Sequence, residues 1–152
     1  MKEIADQLKT VLDKFIPLLE AIPEETLLRK PGPKKWSKKE IIGHLVDSAL
    51  CNIRRFVVAQ YEDAPYIIYE QDRSVAIAGY QDYEIGNLVQ LWVLLNRHIG
   101  VILSKADDAA SHRICRTNNE VPHTLQWIAK DYIRHLFHHL HQVCDLDPVA
   151  YT

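Results

Sequence analysis

The chain has 152 residues, 47% of them hydrophobic and 25% charged, which suits one domain over residues 1–152 with a core that needs no disulfides. The 18 Lys and Arg against 20 Asp and Glu leave a formal charge of -2, without the basic footprint of a nucleic-acid binder. No apolar run approaches the roughly 20 residues that cross a bilayer, and Met1 to Asp6 lack the basic and apolar regions of a secretory signal. Cys51, Cys115 and Cys144 are too widely spaced for a zinc knuckle and too few for a disulfide framework. A cytoplasmic protein is expected, with no nucleic acid and no membrane among its partners.

Apolar residues at Ile4, Leu8, Val11, Leu12, Phe15, Leu19 and Ile22 form a helical stripe, which Pro17 should bend or displace near its end. A polar connection from Pro23 to Lys35 follows. Ser37 and Glu40 then make a capping box, with Trp36 placed to staple onto Ile41. Behind that cap, Ile41, Leu45, Ala49, Ile53, Phe56 and Val57 carry a second helix to about Gln60. Tyr61 to Gln81 has no sustained period: Tyr66 to Tyr69 read as extended crossover chain and Gln71 to Ala78 as a short helix. Asp82 is placed to cap a third helix bearing Ile85, Leu88, Val89, Trp92, Leu95, Ile99, Ile102 and Leu103. Ala106 to Pro122 reads as loop, with Ile114 to Arg116 briefly extended. Thr124 caps a fourth helix that runs to about Cys144 on Leu125, Ile128, Ala129, Tyr132, Leu136, Leu140 and Val143. Four long amphipathic helices without a convincing strand pair predict an all-α four-helix bundle.

Histidine is over-represented: the chain has 8, six of them between His112 and His141. At about 100° per residue, His135 and His139 sit one turn and about 40° apart, a spacing that lets one helix hold one metal ion with two imidazoles. His138 and His141 turn toward the polar side. The pair alone fits satisfied or half-exposed histidines equally well. His44 lies in the apolar stripe of the second helix, near the polar interruptions Ser48 and Asn52, and a lone inward histidine is commonly a hydrogen-bonded core residue. Inward histidines on two facing helices, however, are how bundles build metal sites in their cores. Three imidazoles leave coordination positions open, as catalytic sites do.

Two stretches carry a resemblance: Trp36-Ser37-x-x-Glu40-x-x-x-His44-Leu45-x-Asp47, and Tyr132-x-x-His135-x-x-His138-His139-Leu140-x-Gln142-Val143. Together with Tyr69-x-x-Asp72 and Gly79-Tyr80, they make the chain similar to the DinB/YfiT-like family of metal-binding four-helix proteins. The resemblance runs from the first helix through Val143. It implies an up-down-down-up bundle, a homodimer, and a divalent metal ion, zinc or nickel, on His44, His135 and His139. It also implies a small-molecule substrate, since similar proteins include metal-dependent hydrolases and thiol-S-transferases that use a low-molecular-weight thiol as cosubstrate.

Asp131 and Asp47, each within a turn of a histidine, are candidates to orient those rings. Both also fit solvated surface acids. Asp72 in the crossover is the candidate catalytic residue, as a proton acceptor or substrate contact, because a loop across the bundle mouth can supply one. Cys51 and Cys144 read as small buried hydrophobes, Arg54-Arg55 as a solvated or paired basic couple, and Trp92, Trp127 and Tyr132 as core or interface. The competing class is a non-catalytic metal-binding stress-response protein or a dimeric interaction module.

Overall fold

The computed structural model describes residues 1–117 and 121–151. Four long helices form the bundle: α1 (Lys2–Glu20), α3 (Lys38–Val58), α5 (Ile85–Lys105) and α7 (Leu125–Val143). Short helices α2 (Glu24–Leu28), α4 (Gln71–Ala78) and α6 (Asp108–Ser111) lie in the connections. Both α1 and α3 pack on α5 and on α7, so the two helices that follow one another in sequence sit across a diagonal. This is the up-down-down-up arrangement that the family resemblance implies.

The local signals explain most boundaries. In the capping box of α3, Glu40 N–H donates to Ser37 Oγ at 3.1 Å while Ser37 N–H donates to Glu40 Oε2 at 2.7 Å. Thr124 caps α7 by accepting from Trp127 N–H at 3.2 Å. α1 continues past Pro17 and closes at Glu20, before Ile22. At the end of α4, Gly79 takes φ +66°, the left-handed conformation that glycine adopts without a Cβ penalty and that closes a helix.

Two expectations need correction. Asp82 does not cap the third helix: it lies in a 3-10 turn over Tyr80–Asp82, and Glu84 caps α5 instead, accepting from Gly86 and Asn87 N–H at 2.8 and 2.6 Å. The longer Glu84 side chain reaches both amides, a role that a preference for short capping residues overlooks. A strand pair also exists. β1 (Ile114–Arg116) runs antiparallel to β2 (Pro122–Thr124), with Cys115 opposite His123. Three residues per strand are too few to register an alternating period. Tyr66 bridges to Arg116, so the extended crossover lies against this hairpin.

The core is one cluster on the facing sides of the four helices, with Phe15, Leu45, Trp92, Ile99, Leu136 and Leu140 fully buried. Phe137 packs edge-on against Phe15, with ring centroids 6.1 Å apart. Cys51 is buried and Cys144 half-buried, both free thiols. Among the described residues, no helix is long and apolar enough to cross a membrane.

Candidate metal centre

α3 packs against α7, and that contact brings His44, His135 and His139 together. Each offers a ring nitrogen, and the three atoms lie within 4.8 Å of one another. His44 Nε2 and His135 Nε2 approach to 3.0 Å. The rings stand nearly perpendicular: 75° between His44 and His135, 73° between His44 and His139, and 77° between His135 and His139. Among the described residues, no fourth His, Cys or carboxylate joins the cluster.

Burial sets the charge state. Desolvation, then the neighbouring His139, lowers the His44 pKa to about 3. Desolvation and the histidines around it lower His135 to about 2. His139 falls to about 4, again by desolvation first, then by His138, with a Gln142 hydrogen bond opposing. All three are therefore neutral at pH 7, the form in which imidazole binds metal. Three neutral imidazole nitrogens converging on one point are the donor set of a divalent cation.

The ring nitrogens facing outward have distinct environments. His135 Nδ1 lies 3.5 Å from Ser48 Oγ, and His139 Nδ1 lies 3.4 Å from Gln142 Oε1. Asn52 holds Ser48 in turn: its Nδ2–H donates to the Ser48 carbonyl at 2.9 Å and to Oγ at 3.4 Å. Trp36 lies against the His44 ring at 5.0 Å, which adds a hydrophobic wall to its place before the helix cap.

A cavity of about 490 Å³ opens beside His135. Ser48, Asn52, Arg55 and Tyr69 line one side, and His123, Trp127, Asp131, Tyr132 and Tyr151 the other. Arg55 is buried, donating through Nε and Nη2 to the Ile67 carbonyl at 3.1 and 3.0 Å and through Nη1 to Asn52 Oδ1 at 3.3 Å. It thus tethers the crossover to α3. His123 and Trp127 stack 3.7 Å apart at 10°, presenting a flat aromatic wall. Burial pushes the Tyr69 phenol up to about 12, with a Ser48 hydrogen bond opposing.

The other sequence candidates are placed as follows. Asp131 does not orient His135: its oxygens accept from Arg134 Nη2–H at 2.8 Å and from the Tyr151 hydroxyl at 2.9 Å. Asp47 accepts from the Tyr80 hydroxyl at 2.7 Å. Asp72 is exposed in the first turn of α4 and is not a wall of the cavity, whereas its neighbour Gln71 is. Trp92 and Tyr132 are core residues, and Trp127 belongs to the cavity. His138 and His141 are turned away from the cluster and donate to the carbonyls of Val149 and Asp147 at 2.7 and 2.8 Å.

Sequence reasoning missed Tyr151, His123 and the buried role of Arg55. Ser48 and Asn52 did leave a signal, as polar breaks in an apolar stripe.

The same architecture occurs in solved structures. YfiT from Bacillus subtilis, described as a probable metal-dependent hydrolase with an unusual four-helix bundle topology, superposes with a TM-score of 0.85 at 19% identity, covering 94% of this chain and 83% of YfiT. A mycothiol-dependent maleylpyruvate isomerase superposes with a TM-score of 0.76 at 14% identity, covering 97% of this chain and 61% of the isomerase. At these identities the likeness concerns the fold. No curated protein matches the chain significantly. The sequence model of the DinB superfamily, however, matches residues 7–143, which include all three clustered histidines, and the chain belongs to that superfamily.

Proposed function

We propose that this protein is a divalent-metal-dependent enzyme acting on a small molecule, with zinc or nickel held by His44, His135 and His139. The observation that carries this reading is the convergence of three neutral imidazole nitrogens within 4.8 Å, one of them on His135, which lines a cavity of about 490 Å³. A cation held there would supply Lewis-acid chemistry, lowering the pKa of a water or a thiol toward neutrality.

The chain's own residues do the rest. Ser48 and Gln142 hold the outward nitrogens of His135 and His139, which fixes the ring planes. The His123–Trp127 pair offers a flat surface for an apolar or unsaturated group, and Tyr132 and Ile128 shield that side from water. The open cavity favours catalysis over a closed structural site. Similarity to YfiT supports hydrolysis, and similarity to the mycothiol-dependent isomerase supports a low-molecular-weight thiol as cosubstrate. Asp72 retains a role only if substrate reaches α4 from the cavity, through its neighbour Gln71.

The test uses protein loaded with cobalt or nickel. Azide, carboxylates and small thiols are expected to shift its ligand-field spectrum, because the site keeps open positions. A spectrum indifferent to all of them, with apo-protein that unfolds, would favour a structural metal instead.

A further inference from the structure

Beyond α7 the chain turns back along the helix it has just left. Asp145 takes φ +52°, a left-handed conformation that aspartate tolerates, and Leu146 N–H donates to the His141 carbonyl at 2.9 Å. Lys38 of α3 pairs with Asp145 beside this turn. Two histidines of α7 then hold the returning backbone. His141 Nδ1–H donates to the Asp147 carbonyl at 2.8 Å, and His138 Nδ1–H donates to the Val149 carbonyl at 2.7 Å. Residues 145–151 are therefore a strap fastened at three points.

The strap sets Tyr151 on the cluster. Asp131, His135 and His138 follow one another at helical spacing along a single ridge of α7, and Tyr151 touches all three. Its hydroxyl donates to Asp131 Oδ2 at 2.9 Å, and its ring lies 5.4 Å from that of His135, at 63°, and 5.9 Å from that of His138. The other Asp131 oxygen accepts from Arg134 Nη2–H at 2.8 Å, so the carboxylate that holds the hydroxyl is itself fixed. Of the three clustered histidines, His135 alone lines the cavity, and Tyr151 lines it too. A ligand that enters from the cavity reaches the cluster past the His135 ring, with Tyr151 standing against that ring.

We propose that Tyr151 is a specificity-determining residue of this site: fastened by the strap and by Asp131, its ring limits the width of the molecule that reaches the histidine cluster from the cavity. The inference rests on the metal reading for its functional meaning, but the shielding of His135 by Tyr151 exists with or without an ion.

The test compares wild type with Tyr151→Ala and with His141→Ala, which frees the strap at Asp147 and keeps the tyrosine. Tyr151 lies outside the hydrophobic core and is 39% exposed, so its removal leaves the bundle folded. In the first arm, apo-protein is treated with diethylpyrocarbonate and modification of His135 is followed by peptide mass spectrometry. It is expected to run several-fold faster in Tyr151→Ala and to rise by less in His141→Ala. His123, stacked on Trp127 in the same cavity, should keep its wild-type rate and serves as the internal reference. In the second arm, cobalt-loaded protein is titrated with acetate and with 2-naphthoate, which carry the same carboxylate on groups of different width. Tyr151→Ala is expected to bind 2-naphthoate about tenfold more tightly than wild type does, and acetate with unchanged affinity. His135 modified at the wild-type rate in Tyr151→Ala, or 2-naphthoate bound no more tightly, would overturn the assignment, as would an equal gain for acetate. A wild-type rate in His141→Ala would overturn the part given to the strap. Wild type that takes up no cobalt would instead count against the metal reading, leaving the first arm to decide on Tyr151.

Discussion

At the scale of single residues, the centre depends on burial holding three imidazoles neutral. In an unfolded chain each titrates near 6.5. In the folded protein His44, His135 and His139 titrate lower, at about 3, 2 and 4. Above pH 6.5 both states leave them neutral and they contribute no pH dependence. As pH falls below 6.5, the unfolded state takes up protons that the folded state refuses, so stability drops, by up to about 1.4 kcal/mol per pH unit for each histidine. His139 contributes least, being the most open to water. With chelator present, the urea midpoint at pH 5 is therefore expected well below that at pH 7.5. Equal midpoints would mean that the cluster is not held neutral by the fold. By contrast, His138→Ala and His141→Ala are expected to leave metal content intact, because these side chains hold the carbonyls of Val149 and Asp147. Elemental analysis of the purified variants checks this.

At the scale of elements, α3 joins the pieces: its inner face carries His44, Ser48 and Asn52, and its flank receives Tyr80. Gly43→Ala should cost about 1–3 kcal/mol by overpacking, since Tyr80 is buried and cannot swing away freely. A urea titration with an unchanged midpoint would refute that close approach. Ser37→Ala should cost about 1 kcal/mol through loss of the cap. The helices, the Ser37 cap and the histidine trio were legible from a stripe, a capping box and an i, i+4 pair joined by an inward His44, whereas Gly43 beneath Tyr80 left no local signal. Other contacts depend on chain segments brought together from afar. The β1–β2 hairpin has strands too short to carry a pattern. Tyr151 reaches Asp131 only because the tail folds back along α7, and Arg55 is buried because the crossover's Ile67 carbonyl comes to it. An arginine next to another arginine reads as surface until that tertiary contact is known.

At the scale of the whole molecule, the diagonal placement of α1 and α3 leaves α3 beside α7, and the long crossover with its hairpin walls the resulting cavity. Of the aromatic residues read as core or interface, Trp92 and Tyr132 are buried, while Trp127 stacks on His123 and remains 41% exposed. The homodimer that the family resemblance implies is expected to bury exposed apolar residues, and Leu94 and Val101 of α5, 53% and 49% exposed, are candidates. Sedimentation at micromolar concentration should then give a dimer that Leu94→Glu dissociates. A wild-type monomer would remove the proposal without touching the metal centre.

Metal should also couple to global stability, since an ion that binds only the folded state adds about 2.7 kcal/mol at a free concentration one hundred times its Kd. The most direct measurement is metal stoichiometry by equilibrium dialysis and elemental analysis of wild type and His139→Ala, after supplementation with zinc or nickel. Close to one ion per wild-type chain, and nearly none in a folded His139→Ala, is the predicted result. Equal metal content in the two proteins would contradict a centre built on His44, His135 and His139.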